Sequence, residues 1–191
     1  MSVLQMRRIR LTFTGLVILA ELLHLTWEAT HGGVVSHHLL NRADLPAISN
    51  WWGALLLPLL AWFLFGHVIR RERLRSGVIG HGFALHRDVI VGFVGALLYG
   101  IALAVAFRQG AETITTSLFL GMFVAALLLP VYRVEALLGF VLGMTFTFGA
   151  VLPLIVGTLV ATLSATLHFL RRFLVRQVSR FSKQPQFRGN S

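Results

Sequence analysis

The chain has 191 residues, of which 56% are hydrophobic and 13% are charged. That composition excludes a soluble globular domain, because a domain of this length cannot hide so much apolar surface from water. The formal net charge of +10 does not indicate a nucleic-acid-binding protein, because the basic residues flank apolar blocks instead of forming a polar domain of their own.

The apolar residues occur in blocks of about 18 to 22, separated by short polar breaks, which predicts an all-α integral membrane protein. We expect a bundle of about six transmembrane helices, at 11–30, 51–69, 88–107, 112–129, 134–150 and 153–170. They belong to a single domain over 1–182, followed by a disordered cytoplasmic tail at 183–191. The last two spans are joined so tightly that one long kinked helix, and hence five spans, is the alternative.

Basic residues are distributed unequally between the two sides of the predicted bundle. With six spans, 15 of the 17 Lys and Arg residues lie on one side, and only Arg42 and Arg108 lie on the other. The positive-inside rule then predicts cytoplasmic N- and C-termini and a bacterial inner membrane. The segment after residue 170 alternates apolar and basic residues, which predicts a helix lying on anionic lipids at the inner face. Lipid is thus the expected partner, a membrane-protein partner or a homodimer stays open, and nucleic acid is not expected.

Glycine and other small residues mark a helix end and the helix contacts. Gly32 and Gly33 predict the end of the first span, and Asn50 is placed to cap the second. Small residues at four-residue spacing predict close packing of helices inside the bundle, with a homodimer contact as the alternative. These ridges are Gly92, Ala96, Gly100 and Ala104 on the third span, Gly139 and Gly143 on the fifth, and Gly157, Ala161 and Ala165 on the sixth.

The first span carries a stripe of ionisable side chains. Glu21, His24, Glu28 and His31 follow the spacing i, i+3, i+7 and i+10, which places them within an arc of roughly 80° on one helix face. Such groups are costly in hydrocarbon, so a row of them on one face is by default a functional site. Structural polar packing, with a protonated Glu21 hydrogen-bonded to a neighbouring helix, is the alternative.

Mixed imidazole and carboxylate groups favour a divalent metal ion, namely zinc, iron, manganese or cobalt, and the lack of cysteine disfavours cuprous copper. Ten residues of helix rise about 15 Å, so one ion cannot bind the whole stripe. The glycine pair would let the following loop fold back over the helix end and supply more ligands. The predicted ligands are His24, Glu28 and His31 with His37 or His38, and Asp44 and Glu112 are further oxygen donors on the same side.

Three functions fit this pattern, and the first is the leading interpretation. In the first, a metal-dependent membrane enzyme binds the ion at an outward-facing site, with Glu21 as the catalytic general base acting on a bound water or a lipid-like substrate. In the second, a small transporter relays protons or cations along the stripe. In the third, the chain is a structural subunit of a membrane complex.

Polar residues at the opposite, inner ends of the spans are more simply solvated or ion-paired, since span ends reach water. Arg87 with Asp88, and Arg133 with Glu135, are interpreted as interfacial ion pairs or as carboxylates at helix starts. The full set is His67, His86, Asp88, Tyr132, Glu135 and His168. A polar connection from Glu21 down to this set would favour transport over catalysis.

Overall fold

The chain folds into six helices and one short hairpin, in a computed structural model that describes residues 3–38, 44, 46–75 and 85–182. The predicted disordered tail at 183–191 lies outside these ranges. Of His37 and His38 the structure describes the backbone and not the side chains. The elements are α1 (Val3–Thr30), β1 (Ser36–His38), β2 (Ala47–Ser49), α2 (Trp51–Arg75), α3 (Arg87–Arg108), α4 (Glu112–Leu128), α5 (Val134–Phe148) and α6 (Val151–Ser182). The two strands pair antiparallel, with His37 opposite Ile48.

Four of these helices are long and apolar enough to cross a membrane, namely α1, α2, α3 and α6. The remaining two are also apolar but shorter, with 17 residues in α4 and 15 in α5. At 1.5 Å per residue they reach about 26 Å and about 22 Å, less than the roughly 30 Å of a typical hydrocarbon core. The prediction of an all-helical protein with several helices that could span a membrane is therefore confirmed. The number of six spans stays a prediction.

The tight junction at residues 149–150 separates two helices. α5 ends at Phe148, and the next residue, Gly149, has a φ of 65°. Residues with a side chain rarely adopt that conformation, so a glycine there stops the helix, and α6 restarts at Val151. The alternative of one long kinked helix is therefore wrong for this segment.

Two helices extend beyond the predicted spans into charged sequence. α1 begins at Val3 instead of residue 11, and α6 continues to Ser182. Arginine is a good helix former, and neither extension contains Gly or Pro, so the hydrogen-bond ladder continues after the apolar block stops. The helix predicted beyond residue 170 is thus confirmed as a continuation of α6.

The tightest contact in the bundle is between α3 and α5, which run parallel. A Cβ atom on Gly139 would overlap the carbonyl oxygen of Phe93, and one on Gly143 would overlap that of Leu97. A Cβ atom on Gly100 would lie 2.8 Å from the carbonyl oxygen of Phe140. The two backbones therefore touch where the glycines are, which confirms the predicted use of the α3 and α5 ridges inside the bundle.

Two apolar clusters hold the helices together. The first lies around α3, α4, α5 and α6 and comprises Leu103, Met122, Ala126, Phe140, Met144 and Val160. The second joins α1 and α2 to α5 and to the turn before α6, and comprises Val17, Leu57, Ala61, Val141 and Ala150. The second cluster, here called the apolar plug, lies next to the ionisable stripe along α1.

Candidate functional site

Three of the four stripe residues on α1 are buried inside the bundle. Glu21, His24 and Glu28 are only 3%, 7% and 5% exposed, whereas His31 is exposed. The helical spacing therefore predicted the inward face correctly for the first three. Carboxyl and imidazole groups in such a position must be satisfied by polar neighbours, because burying them without partners is costly.

His24 lies between the two carboxylates, with one at each ring nitrogen. Its Nδ1 atom lies 3.7 Å from Oε2 of Glu21, and its Nε2 atom lies 3.4 Å from Oε1 of Glu28. The ring also makes an edge contact with Phe146 of α5, at 4.8 Å between centroids. Nδ1 is buried and makes no hydrogen bond to any residue that the structure describes. Because the two nitrogens point away from each other, the carboxylates are on opposite sides of the imidazole.

Gly53 of α2 makes room for Glu21. A Cβ atom on Gly53 would overlap Oε1 of Glu21. The missing side chain lets the backbone of α2 approach α1 closely enough to enclose the carboxylate. A glycine at this position thus places Glu21 between two helices, where water has little access.

Glu28 accepts hydrogen bonds from the loop after α1 and from Asn50, the residue before α2. The backbone N–H of Val35 donates to its Oε2 at 3.2 Å, and Nδ2 of Asn50 donates to its Oε1 at 2.7 Å. Gly32 and Gly33 have φ values of 122° and 97°, a conformation that permits this reversal of the chain. The prediction that the glycine pair ends α1 and folds the loop back over it is confirmed.

Asn50 has a larger role than the sequence indicated. It directly precedes α2, as predicted for a capping residue, but its side-chain nitrogen is committed to Glu28. It is 4% exposed, and its backbone N–H donates to the carbonyl of Val35 at 3.0 Å. Sequence spacing could not reveal this contact, because Glu28 lies on α1 and Asn50 lies beyond the loop that joins α1 to α2. We call Glu21, His24, Glu28 and Asn50 the loop-end cluster.

His31 does not belong to this cluster. It follows the last residue of α1, Thr30, and its ring stacks on Trp27 at 4.8 Å between centroids. Its Nδ1 atom lies 2.9 Å from the carbonyl oxygen of Trp27. The helical arc predicted for His31 therefore does not bring it to the buried face, because the helix ends before it and the ring instead covers an exposed indole.

No group of three or more His, Asp or Glu side chains within the described ranges is arranged to hold a metal ion. Of the predicted ligands whose side chains the structure describes, only His24 and Glu28 lie together. Asp44 and Glu112 are exposed. The histidines at 37 and 38 are carried by β1, whose partner strand leads into Asn50, but their side chains are outside the described part of the chain.

A second buried polar group lies at the opposite end of the bundle and joins α2, α3 and α5. Glu72 is fully buried and contacts His86, with 2.6 Å between its Oε2 and Nδ1 of the ring. Glu135, which is 2% exposed, pairs through Oε1 with Arg71 at 2.9 Å and with Arg133 at 3.1 Å. We call the following residues the ion-pair cluster: Arg71, Glu72, His86, Asp88, Arg133 and Glu135.

The sequence identified part of the ion-pair cluster. The pairing of Arg133 with Glu135 is confirmed, and Arg133 also reaches Asp88 at 2.5 Å. Glu72 was missed, because it lies within the basic run at the end of α2, where a charged side chain is ordinarily exposed. The indication in the sequence was that acidic residues are scarce, since the whole chain has only seven.

The apolar plug adjoins the loop-end cluster on the side of the ion-pair cluster. Val17 precedes Glu21 by one helical turn, and Leu57 follows Gly53 by one turn. From Gly53 to Glu72 the axis of α2 rises about 28 Å. Among the described residues, the apolar plug thus lies between the two clusters along α1 and α2.

Comparison with protein-family models, with curated proteins and with solved structures finds no match for this chain in any of the three.

Proposed function

We propose that the protein is a small proton-coupled membrane transporter in which Glu21, His24 and Glu28 bind and relay protons. The observation that carries the proposal is the position of His24, with a buried carboxylate at each ring nitrogen. An imidazole can accept a proton at one nitrogen and release one from the other, which makes it suited to a relay. Carboxyl groups placed on both sides supply the donor and the acceptor.

The two acids have different surroundings, which distinguish the two ends of the relay. Glu21 is enclosed against Gly53, whereas Glu28 contacts the loop through Val35 and Asn50. In the inward direction, Glu28 gives a proton to Nε2, and Nδ1 gives one to Glu21. The ring then returns to its starting tautomer before the next transfer. The 3.4 Å and 3.7 Å separations must shorten for each step, since proton transfer needs about 2.6–3.2 Å between heavy atoms.

The apolar plug favours coupled transport over an open channel. A channel needs a continuous wet or polar path, and Val17, Leu57 and Ala61 separate the loop-end cluster from the ion-pair cluster. A proton bound at Glu21 would therefore reach the other end only when the helices rearrange. Buried ionisable groups that are alternately exposed to the two sides are typical of proton-coupled transporters.

The charge distribution supports an orientation for this transporter. We propose six crossings, cytoplasmic termini and a bacterial inner membrane, because 15 of 17 basic residues then lie inside. The loop-end cluster would face outward and the ion-pair cluster inward. The tail of α6 would lie near anionic lipid.

Proton flux in proteoliposomes tests the proposal. Purified protein is reconstituted with an imposed pH gradient, and the internal pH is followed with an enclosed indicator dye. We expect flux above that of empty vesicles, abolished by Glu21→Gln and retained by His31→Ala, the matched histidine outside the cluster. Equal flux in wild type and Glu21→Gln, or no flux above empty vesicles, would contradict it.

A divalent metal ion at His24 and Glu28 is the second candidate, in an enzyme or a cation transporter. The 3.4 Å between Nε2 and Oε1 is a spacing that two ligands of one ion adopt when each bond is about 2.0–2.2 Å. Glu21, at the far ring nitrogen, would then orient His24 instead of acting as the general base. Metal analysis decides: stoichiometric zinc, iron, manganese or cobalt that is lost in His24→Ala favours this candidate.

A further inference from the structure

A cavity of about 420 Å³ lies among α3, α4, α5 and α6, well away from the loop-end cluster. Its volume is in the range of small-molecule sites, which is about 300–1,000 Å³. The cavity exists because the helices present small residues there, including Gly95 and Ala96 of α3, Ala125 of α4 and Gly157 of α6. A Cβ atom on Gly95 would meet nothing within 4 Å.

The cavity reaches the surface that faces lipid. Val91 and Leu129 belong to its lining and are 59% and 56% exposed. Most of the remaining lining is apolar, and the hydroxyl of Tyr99 is already committed to the carbonyl of Leu118. A hydrocarbon chain is therefore the chemistry that this part of the cavity fits.

One end of the cavity is charged. Asp88, Arg133 and Glu135 line it there, at the first turns of α3 and α5. These helix ends are at the depth where lipid headgroups lie if the helices cross a bilayer. The guanidinium of Arg133 uses Nη2 and Nε on the two carboxylates, and a guanidinium has five N–H donors in all. Further donors therefore remain for an anionic group.

One carboxylate oxygen at this end lacks a partner. Oε1 of Glu135 accepts from Arg71 and contacts Arg133, but Oε2 is buried and has no hydrogen-bond partner within the described residues. An unsatisfied buried acceptor of this kind is rare in folded proteins. A ligand with an N–H donor would satisfy it, and a phosphate beside that donor would meet Arg133.

We propose that this cavity binds one aminophospholipid of the bilayer, a phosphatidylethanolamine. Its ammonium group donates to Oε2 of Glu135, its phosphate accepts from Arg133, and one acyl chain lies between α3 and α4 beside Gly95. The site is separate from the proton relay and does not depend on it. Recognition of the ammonium N–H is the feature that distinguishes this lipid from phosphatidylcholine, whose three methyl groups leave no N–H donor.

Native mass spectrometry of the purified full-length chain with added lipid tests the proposal. We expect phosphatidylethanolamine to bind about tenfold more tightly than phosphatidylcholine or phosphatidylglycerol of the same acyl chains, as a hydrogen bond to a charged group would give. Glu135→Gln should remove most of this preference. Gly95→Leu should fill the cavity and weaken binding about tenfold, whereas Gly15→Leu, on open surface of α1, should not.

Four results would overturn the proposal. Equal binding of the three lipids, or no bound lipid, would remove the headgroup assignment. A preference for phosphatidylglycerol would indicate an anion site instead. Unchanged binding in Gly95→Leu would place the lipid elsewhere on the molecule. Because Gly95→Leu leaves the ion pairs of Glu135 intact, the result does not depend on whether Glu135→Gln folds.

Discussion

The Oε1 atom of Glu21 occupies the space in which any larger residue at position 53 would place its Cβ atom. Gly53 and Glu21 are therefore matched across the contact between α1 and α2. The relationship explains how a carboxylate is enclosed in an apolar bundle: the neighbouring helix lacks a side chain at that level.

Gly53→Ala should displace the Glu21 carboxylate. The overlapped atom is the end of a flexible side chain, which can shift more cheaply than backbone, so we expect a loss of proton flux and a lower free energy of unfolding, by less than the about 1–3 kcal/mol of overpacking in a rigid core. Gly15→Ala is the control, because nothing lies within 4 Å of a Cβ atom there, and alanine is the better helix former. Thermal unfolding in detergent compares the stability of the two variants, and the proteoliposome assay compares their proton flux. A Gly53→Ala protein as stable and active as Gly15→Ala would show that the contact is not tight.

Asn50→Asp should make the stability of the protein depend on pH. The new carboxylate would lie beside Oε1 of Glu28, where Nδ2 of Asn50 now donates at 2.7 Å. At low pH the two acids can share a proton and keep the contact. As the pH rises the new aspartate carries a negative charge beside Glu28, and the repulsion destabilises the folded state by roughly 1–3 kcal/mol.

The measurement for Asn50→Asp is the unfolding temperature at pH 5 and pH 8, relative to wild type at the same pH. The deficit should be larger at pH 8. Asn50→Ala controls for the lost hydrogen bond, since it adds no charge. A deficit that is the same at both pH values would mean that Glu28 and residue 50 are not in contact.

Gly143→Ala should separate α3 from α5. The added methyl group would overlap the carbonyl oxygen of Leu97, and backbone cannot move aside as a flexible side chain does. We expect a loss of roughly 1–3 kcal/mol or more. Gly95→Ala, on the same helix pair but with open space around it, should keep wild-type stability. Equal unfolding temperatures for the two variants would contradict the close contact.

His24→Ala and His31→Ala should differ sharply, although both residues belong to the same stripe. His24 contacts two buried carboxylates, and its removal leaves both without the ring between them. His31 is exposed and stacks on Trp27, so its removal should change stability by less than about 0.5 kcal/mol. We expect flux to be lost only in His24→Ala. Loss of flux in His31→Ala would contradict this and would show that His31 takes part in the proton relay.

The sequence predicted what depends on spacing along one helix. The burial of Glu21, His24 and Glu28, the end of α1 at Gly32 and Gly33, and the packing of the α3 and α5 glycine ridges all follow from local periodicity and backbone chemistry. His31 lies one residue beyond the end of the helix at Thr30, so helical periodicity does not place its side chain on the buried face.

What the sequence did not predict depends on contacts between helices. The bond from Asn50 to Glu28 and the space left by Gly53 join α1 to α2, and no spacing rule specifies which residues of two helices face each other. The ion pairs of Glu72 and Glu135 join three helices in the same way. The lengths of α4 and α5 were overestimated by one and two residues, because their apolar blocks continue into turns.

The central claim is that Glu21, His24 and Glu28 exchange protons as one unit, and infrared difference spectroscopy tests it most directly. Spectra of the protein in lipid bilayers at acidic and alkaline pH record the C=O stretch of carboxyl groups that gain or lose a proton. We predict a band from a buried carboxyl group that disappears in Glu21→Gln, changes in His24→Ala and is unchanged in His31→Ala. Identical spectra for wild type, Glu21→Gln and His24→Ala would contradict the account.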